Sequence, residues 1–208
     1  MAAPNVKSKT KKEDRDLWAT PNEIYNGALR YFVGKRLLSQ DSTYAIDVCA
    51  NERNTKHAFF FDEADDALTQ PWAFAVATNK VIIDGGSVDD ATMAEYPTNL
   101  VAWCNPPYSR GKKEAFIAKA RQESAYGLAT IMLLPNDTSA KWFSEVVKNA
   151  KAVVFICNGR INFINNATGE RGEGNNAGSI LALFAPKETN SIARTLYVTR
   201  ERLEKMGA

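Results

Sequence analysis

Leu100-Val101-Ala102-Trp103-Cys104-Asn105-Pro106-Pro107-Tyr108 decides how this chain is read. The first five residues are an apolar run of strand length, and the two prolines forbid its continuation. A polar amide, a stiff bend and an aromatic ring therefore stand at the mouth of a buried strand. In an open α/β sheet, ligands bind outside the carboxyl ends of the strands. The arrangement suits methylation of an exocyclic amino group. The amino nitrogen of adenine is a poor nucleophile because its lone pair is delocalised into the ring. Acceptors on both of its N–H bonds favour a more pyramidal, more reactive nitrogen. The side-chain oxygen of Asn105 is one candidate acceptor and the carbonyl of Pro106 the other. Pro107 completes the bend, and Tyr108 offers a ring face on which a base lifted from its duplex can stack. A strand ending in a Pro-Pro turn with a surface tyrosine is the plain alternative.

Outward from this motif, strands and helices alternate. Thr20-Pro21-Asn22-Glu23 reads as a helix start, with Thr20 as cap, Pro21 at the first helical position and Glu23 closing a capping box. The helix is expected over residues 22–38. Its start is also a possible anion site, because free N–H groups point outward there. Residues 44–50 and 57–62 read as two strands. Residues 73–97 read as an insertion, with a strand and tight turn over 81–88. After the motif come a loop and helix to residue 125, a strand over 128–135, a helix over 138–150 and strands over 151–157 and 179–184. Residues 192–206 read as a strand or short helix on the sheet's edge. This alternation predicts an α/β fold, a mainly parallel sheet with helices on both faces.

The chain has 208 residues, enough for one domain with a sizeable core. Its formal charge of +2 sets up no global field, so affinity for nucleic acid must come from local patches. Arg110, Lys112 and Lys113 stand directly beside the motif and suit phosphate contacts. Arg160 and Arg171 belong to a Gly/Asn-rich hairpin over about 160–178 that could reach base edges, where Arg suits guanine and Asn suits adenine. Exposed helix charges and a plain surface hairpin explain these residues equally well. Cys49, Cys104 and Cys157 lie far apart, each closing an apolar run, and read as reduced core residues of a cytosolic protein. One histidine and no cysteine pair at ligand spacing argue against a zinc site. No signal peptide or membrane span is read. Residues 1–16 are polar, of mixed charge, and are expected to be a flexible arm. Asp62 or Glu63, closing the second strand, is placed where a ribose is held in cofactor-binding α/β folds. Asp66 is a further acid within reach of an adenine amino group. Taken singly, each such acid is more often a solvated loop carboxylate.

These residues together resemble the phage-type Dam family of DNA adenine-N6 methyltransferases. The likeness runs from about Trp18 to Pro186. It is carried by Trp18-Ala19-Thr20-Pro21, by Asp47-Val48-Cys49-Ala50 with Asn51 and Asn54, and by Asp66-Ala67-Leu68 with Trp72. Asn105-Pro106-Pro107-Tyr108-Ser109 is its most specific carrier. The resemblance implies a Rossmann-like class I methyltransferase fold over 17–208, here with an antiparallel edge strand. It implies S-adenosylmethionine as methyl donor, double-stranded DNA as partner, no metal, and GATC as the site; a monomer is expected. Trp18, Thr20 and Pro21 would then lie near the methionine end of the cofactor, and Asp47 at its amino group. Asp62 would take the ribose and Asp66 the cofactor's adenine. The turn after the first strand, Asp47 to Asn51, lacks the glycines usual there; small Cys49 and Ala50 must allow the close approach instead. The same four-residue motif also suits the amide of a protein glutamine or an RNA guanine. A non-enzymatic DNA-binding relic of the fold is the reading from another class.

Overall fold

The computed structural model describes residues 18–85, 98–109, 111–172, 177–187 and 191–208. In chain order the elements are β1 (Trp18–Ala19), α1 (Asn22–Gly34), β2 (Thr43–Asp47), α2 (Trp72–Ile83), β3 (Leu100–Cys104), α3 (Lys112–Ala125), β4 (Ala129–Pro135), α4 (Lys141–Asn149), β5 (Ala152–Cys157), β6 (Ile164–Asn165), β7 (Ser179–Phe184), β8 (Arg194–Thr199) and α5 (Arg200–Gly207). The expected arm over 1–16 lies outside the described residues, as do Arg110 and residues 86–97 of the expected insertion.

Six strands form one sheet in the order β2-β3-β4-β7-β5-β8. β2, β3 and β4 pair in parallel, and so do β5 and β8. β7 is antiparallel to both β4 and β5. The mainly parallel sheet is as expected, but the antiparallel strand is interior rather than at the edge. All six of its residues are buried, so it is covered on both faces. One edge is β8, which together with α5 makes up the stretch read from sequence as strand or helix.

β3 shows how the two layers are divided. Successive side chains point to opposite faces of a strand. Leu100, Ala102 and Cys104 join a core with Trp72 and Val76 of α2, Phe116 and Ala120 of α3, and Val146 of α4. Val101 and Trp103 join the other, with Ile24, Ala28 and Phe32 of α1 and Leu203 of α5. Helices therefore cover both faces. α1 and α5 cross closely because Gly27 and Gly207 carry no side chain; a Cβ on Gly207 would stand 1.9 Å from the Glu23 carbonyl oxygen. No helix among the described residues is long and apolar enough to cross a membrane.

Four local expectations fail for physical reasons. The described part of the strand expected over 81–88 is helical: Val81 to Ile83 are the last turn of α2, with Asp84 as its C-cap, and residues 86–88 lie outside the described residues. Their β-branched side chains suggest a strand, but tertiary contacts at the helix start override that weak preference. Trp72 and Val76, one turn apart, are buried, and the Ala73 N–H donates to Glu123 Oε2 at 2.9 Å. Residues 57–62 run extended beside β2 but make only one bridge, Asp47 to Phe60. The His57 ring accepts the Phe59 N–H at 3.1 Å, a local bond that competes with the ladder. α1 ends at Gly34, not Leu38, because Arg36 takes a left-handed conformation (φ 57°). Finally, α1 starts behind Pro21 with no side-chain cap, and both members of the expected capping box are engaged elsewhere.

Candidate active site

The chain leaves β2 on one side and returns on the other. Phe60 bridges Asp47 on one flank of β2, and β3 pairs with its opposite flank. Strand order therefore reverses between β2 and β3, and a crevice opens outside their carboxyl ends. Asp47 is the last residue of β2, and the Asn105–Tyr108 turn follows directly on β3.

Asn105 is half-buried, Pro106 buried, and Tyr108 36% exposed. The Asn105 amide is held at both ends. Its Nδ2 donates to Thr20 Oγ1 at 3.3 Å, and its Oδ1 accepts from the Tyr108 hydroxyl at 3.1 Å. The same hydroxyl lies 3.3 Å from the Leu133 carbonyl of β4. Tyr108 is thus pinned by its polar end while part of its ring is left to solvent. Enclosure of that hydroxyl pushes its pKa above the ordinary tyrosine value. Asn105 Oδ1 keeps a second lone pair for another donor.

Asp47 is 2% exposed. Its Oδ1 accepts the Cys49 N–H at 3.3 Å and its Oδ2 the Lys56 N–H at 3.0 Å. Burial pushes its pKa up to about 6, against the opposing pull of those two N–H groups and of the Lys56 charge. Among the described residues no cation makes ion-pair contact with it. Lys56 instead sends its ammonium to Asn22 Oδ1 at 2.9 Å, at the first residue of α1. Burial lowers the Lys56 pKa, offset by Asp47 and Glu23. Asp47 and Lys56 together put an anion and a cation on one wall of the crevice. Sequence reading passed over Lys56 because nothing local marks it; its partner lies 34 positions away.

Cys49 and Ala50 are half-buried, and the Ala50 N–H bonds to the Phe61 carbonyl at 3.1 Å. Asp62 Oδ1 accepts from the N–H groups of Ala64 and Asp65, at 2.8 and 3.1 Å, which closes a tight turn. Asp66 is exposed in a left-handed conformation (φ 48°).

The expected DNA-contacting residues are distributed differently. Lys112 is exposed at the start of α3. Lys113 is 8% exposed, its ammonium 4.8 Å from the centre of the Trp142 ring, so packing against α4 withdraws it from the surface. Arg160 is exposed, and its carbonyl accepts from Arg200 at 3.0 Å. Arg171 is ion-paired with Glu23 of α1. That pair ties the hairpin to the body, so this guanidinium is engaged by a carboxylate rather than presented free to a base edge. The hairpin is anchored a second time: β6 pairs with β1, and Gly172 lies flat on the Trp18 ring. A cleft of about 580 Å³ between α1 and α5, lined by Glu23, Arg171, Glu201, Glu204 and Lys205, includes none of the Asn105–Tyr108 turn.

Residues 7–83 and 73–208 match the family model described as DNA N-6-adenine-methyltransferase (Dam). The chain belongs to the Dam family. A DNA N-6-adenine-methyltransferase of Haemophilus phage HP1 (strain HP1c1) is 35% identical to this Dam-family chain over 203 residues, 97% of each protein. Another, of Escherichia phage T1, is 27% identical over 198 residues, 88% of this chain and 68% of that protein. A Listeria monocytogenes protein whose crystal structure is described as that of a class I S-adenosylmethionine-dependent methyltransferase superposes with a TM-score of 0.44 at 12% identity, over 90% of this chain and 67% of that one. Within the Dam-family chain, the crevice between β2 and β3 brings together Asp47, Lys56, Thr20, Asn105 and Tyr108 from four separate stretches of sequence.

Proposed function

We propose that the chain methylates N6 of adenine in duplex DNA, with S-adenosylmethionine as donor and GATC as the recognised site. The observation that carries this reading is the Asn105 carboxamide. It stands at the strand-order reversal with its oxygen fixed and one lone pair still open, next to the Pro106 carbonyl and the buried acid Asp47. The family membership and the two phage relatives support the same reaction.

The residues present fit the cofactor. Among the described residues, Asp47 is a buried carboxylate held by backbone N–H groups with no cation in ion-pair contact, which suits the ammonium of an amino-acid moiety. Lys56, whose ammonium reaches from the loop after β2 to the start of α1, suits the carboxylate of the same moiety. The Asp62 carboxylate keeps an oxygen for a ribose hydroxyl, and Asp66 stands beyond it for the adenine end. When bound, S-adenosylmethionine supplies an electrophilic sulfonium methyl. Asn105 Oδ1 and the Pro106 carbonyl accept the two N6 hydrogens of an extruded adenine, directing the nitrogen lone pair along the line of transfer. Tyr108 stacks on the base. Lys112 and Arg160 contact the backbone of the duplex and hold its register.

The test is transfer of tritium from labelled cofactor to a panel of duplexes. Label recovered as N6-methyladenine from GATC duplexes, and not from scrambled ones, is the expected outcome. Label in RNA or in glutamine, with DNA unlabelled, would replace this function with another.

Asp47 predicts a pH dependence. Its folded pKa is raised, so the folded free protein holds more protons than the unfolded chain between about pH 4 and 6. Its contribution to stability is therefore largest at low pH and is lost as pH rises through that window. Cofactor binding has the opposite sign, because the ammonium needs the ionised acid. Affinity for S-adenosylhomocysteine should fall about tenfold per pH unit below about pH 6 and be flat above it. Calorimetry between pH 4.5 and 8 checks this; Asp47→Asn should remove the slope.

A further inference from the structure

We infer that Thr20 is a positioning residue for the reaction, and that it fixes the plane in which the Asn105 carboxamide faces the substrate. The inference rests on the methyl-transfer reading above. A side-chain amide is nearly symmetric in shape, and only its hydrogen-bond partners distinguish oxygen from nitrogen. In the structure those partners are Thr20 Oγ1 on the nitrogen and the Tyr108 hydroxyl on the oxygen. The Tyr108 partner is divided, because its hydroxyl also lies against the Leu133 carbonyl. Tyr108 alone therefore holds the amide loosely, because its one proton is shared between Asn105 Oδ1 and the Leu133 carbonyl. Thr20 adds a second hydrogen bond from the other end, and the two bonds together hold the plane of the amide. An amide rotated out of that plane would no longer aim Oδ1 at the adenine N–H.

Thr20 is built for this task. It is 2% exposed, and its hydroxyl is not spent as the cap of α1. Its backbone is fixed from both sides. Trp18 and Ala19 before it pair with Asn165 and Ile164 of the hairpin, and buried Pro21 after it starts α1. The hairpin is in turn held by the Arg171–Glu23 ion pair and by Gly172 against Trp18, where a Cβ would stand 2.5 Å from the ring. The orientation of the reacting amide is thus supported by a surface hairpin far away in sequence.

The test compares Thr20→Ser, Thr20→Cys and Thr20→Val in tritium transfer to duplex DNA, with calorimetry of S-adenosylhomocysteine. Ser and Cys are close in size, so the pair reads the hydroxyl alone and does not depend on the valine variant folding. We expect Thr20→Ser to stay within about threefold of the parent in kcat. Thr20→Cys and Thr20→Val should lose about 10- to 100-fold in kcat, the range for leaving a buried polar group unpartnered. All three should bind the cofactor product as the parent does. Equal kcat for the Ser and Cys variants would overturn the inference. So would parallel loss of cofactor-product affinity and rate, which would make Thr20 a cofactor contact. Failure of the parent itself to label DNA would instead strike the methyl-transfer reading, so the two failures are distinguishable.

Discussion

Asn105→Ala is expected to lower kcat for DNA methylation by about 10²- to 10³-fold, the range for loss of one preorganised polar group at a reacting centre. The binding of S-adenosylhomocysteine should change little. The reason is the division of labour across the crevice. The groups suited to the cofactor's amino-acid end, Asp47 and Lys56, stand on β2 and the loop after it, and neither bonds to Asn105. In the proposed mechanism, removing the carboxamide takes away one of the two acceptors that pull the adenine nitrogen out of conjugation. It also leaves Thr20 Oγ1 without its donor, while Tyr108 keeps the Leu133 carbonyl. Folding should therefore survive with a loss of about 1 kcal/mol, the usual scale for one hydrogen bond. Single-turnover tritium transfer, calorimetry and thermal melting on one preparation measure all three. A variant that transfers label at the parent's rate would remove Asn105 from the mechanism.

The second large effect is on stability. Lys119→Ala should destabilise the fold by about 3–5 kcal/mol, because it strands a buried carboxylate. Lys119 and Glu123 form an ion pair of 2.5 Å on α3, with side chains only 9% and 2% exposed. The other oxygen of Glu123 holds the Ala73 N–H at the start of α2, and the Lys119 ammonium lies 5.8 Å from the centre of the Trp72 ring. Trp72 is itself fully buried and donates to the Ala67 carbonyl at 2.7 Å, beside Asp66. The pair thus supports the loop proposed to meet the cofactor's adenine. Urea unfolding is the measurement. The double variant Lys119→Met with Glu123→Gln removes both charges and keeps an acceptor for Ala73, so it should recover most of the loss. A loss under about 1 kcal/mol for Lys119→Ala would mean that the pair behaves as a solvated one.

Much of the fold could be read along the chain. The Pro-Pro pair must end an apolar strand wherever that strand lies, so the mouth at Asn105 was legible from nine consecutive residues. The α/β class and the two-faced sheet were legible for the same kind of reason, since alternating apolar runs and amphipathic segments have few ways to bury themselves. The end of α2 was not, because Val81-Ile82-Ile83 favours a strand by side-chain shape while the helix is decided by Trp72 in the core and by Glu123 some 50 residues on. The place of the antiparallel strand was also hidden; periodicity marks a residue's face but not its strand's neighbours.

What the sequence alone determined, then, is the set of candidate groups at that strand end and the kind of sheet that carries them, because both follow from short-range sterics and local apolar pattern. Only the tertiary structure decided how those groups are held. Thr20 and Glu23 looked like a helix cap, yet one bonds to Asn105 across 85 positions and the other to Arg171 across 148. Lys113 looked like a phosphate contact, yet its charge rests on Trp142. A side chain's polarity is written locally, but its partner is chosen by whatever the folded chain brings within hydrogen-bonding reach.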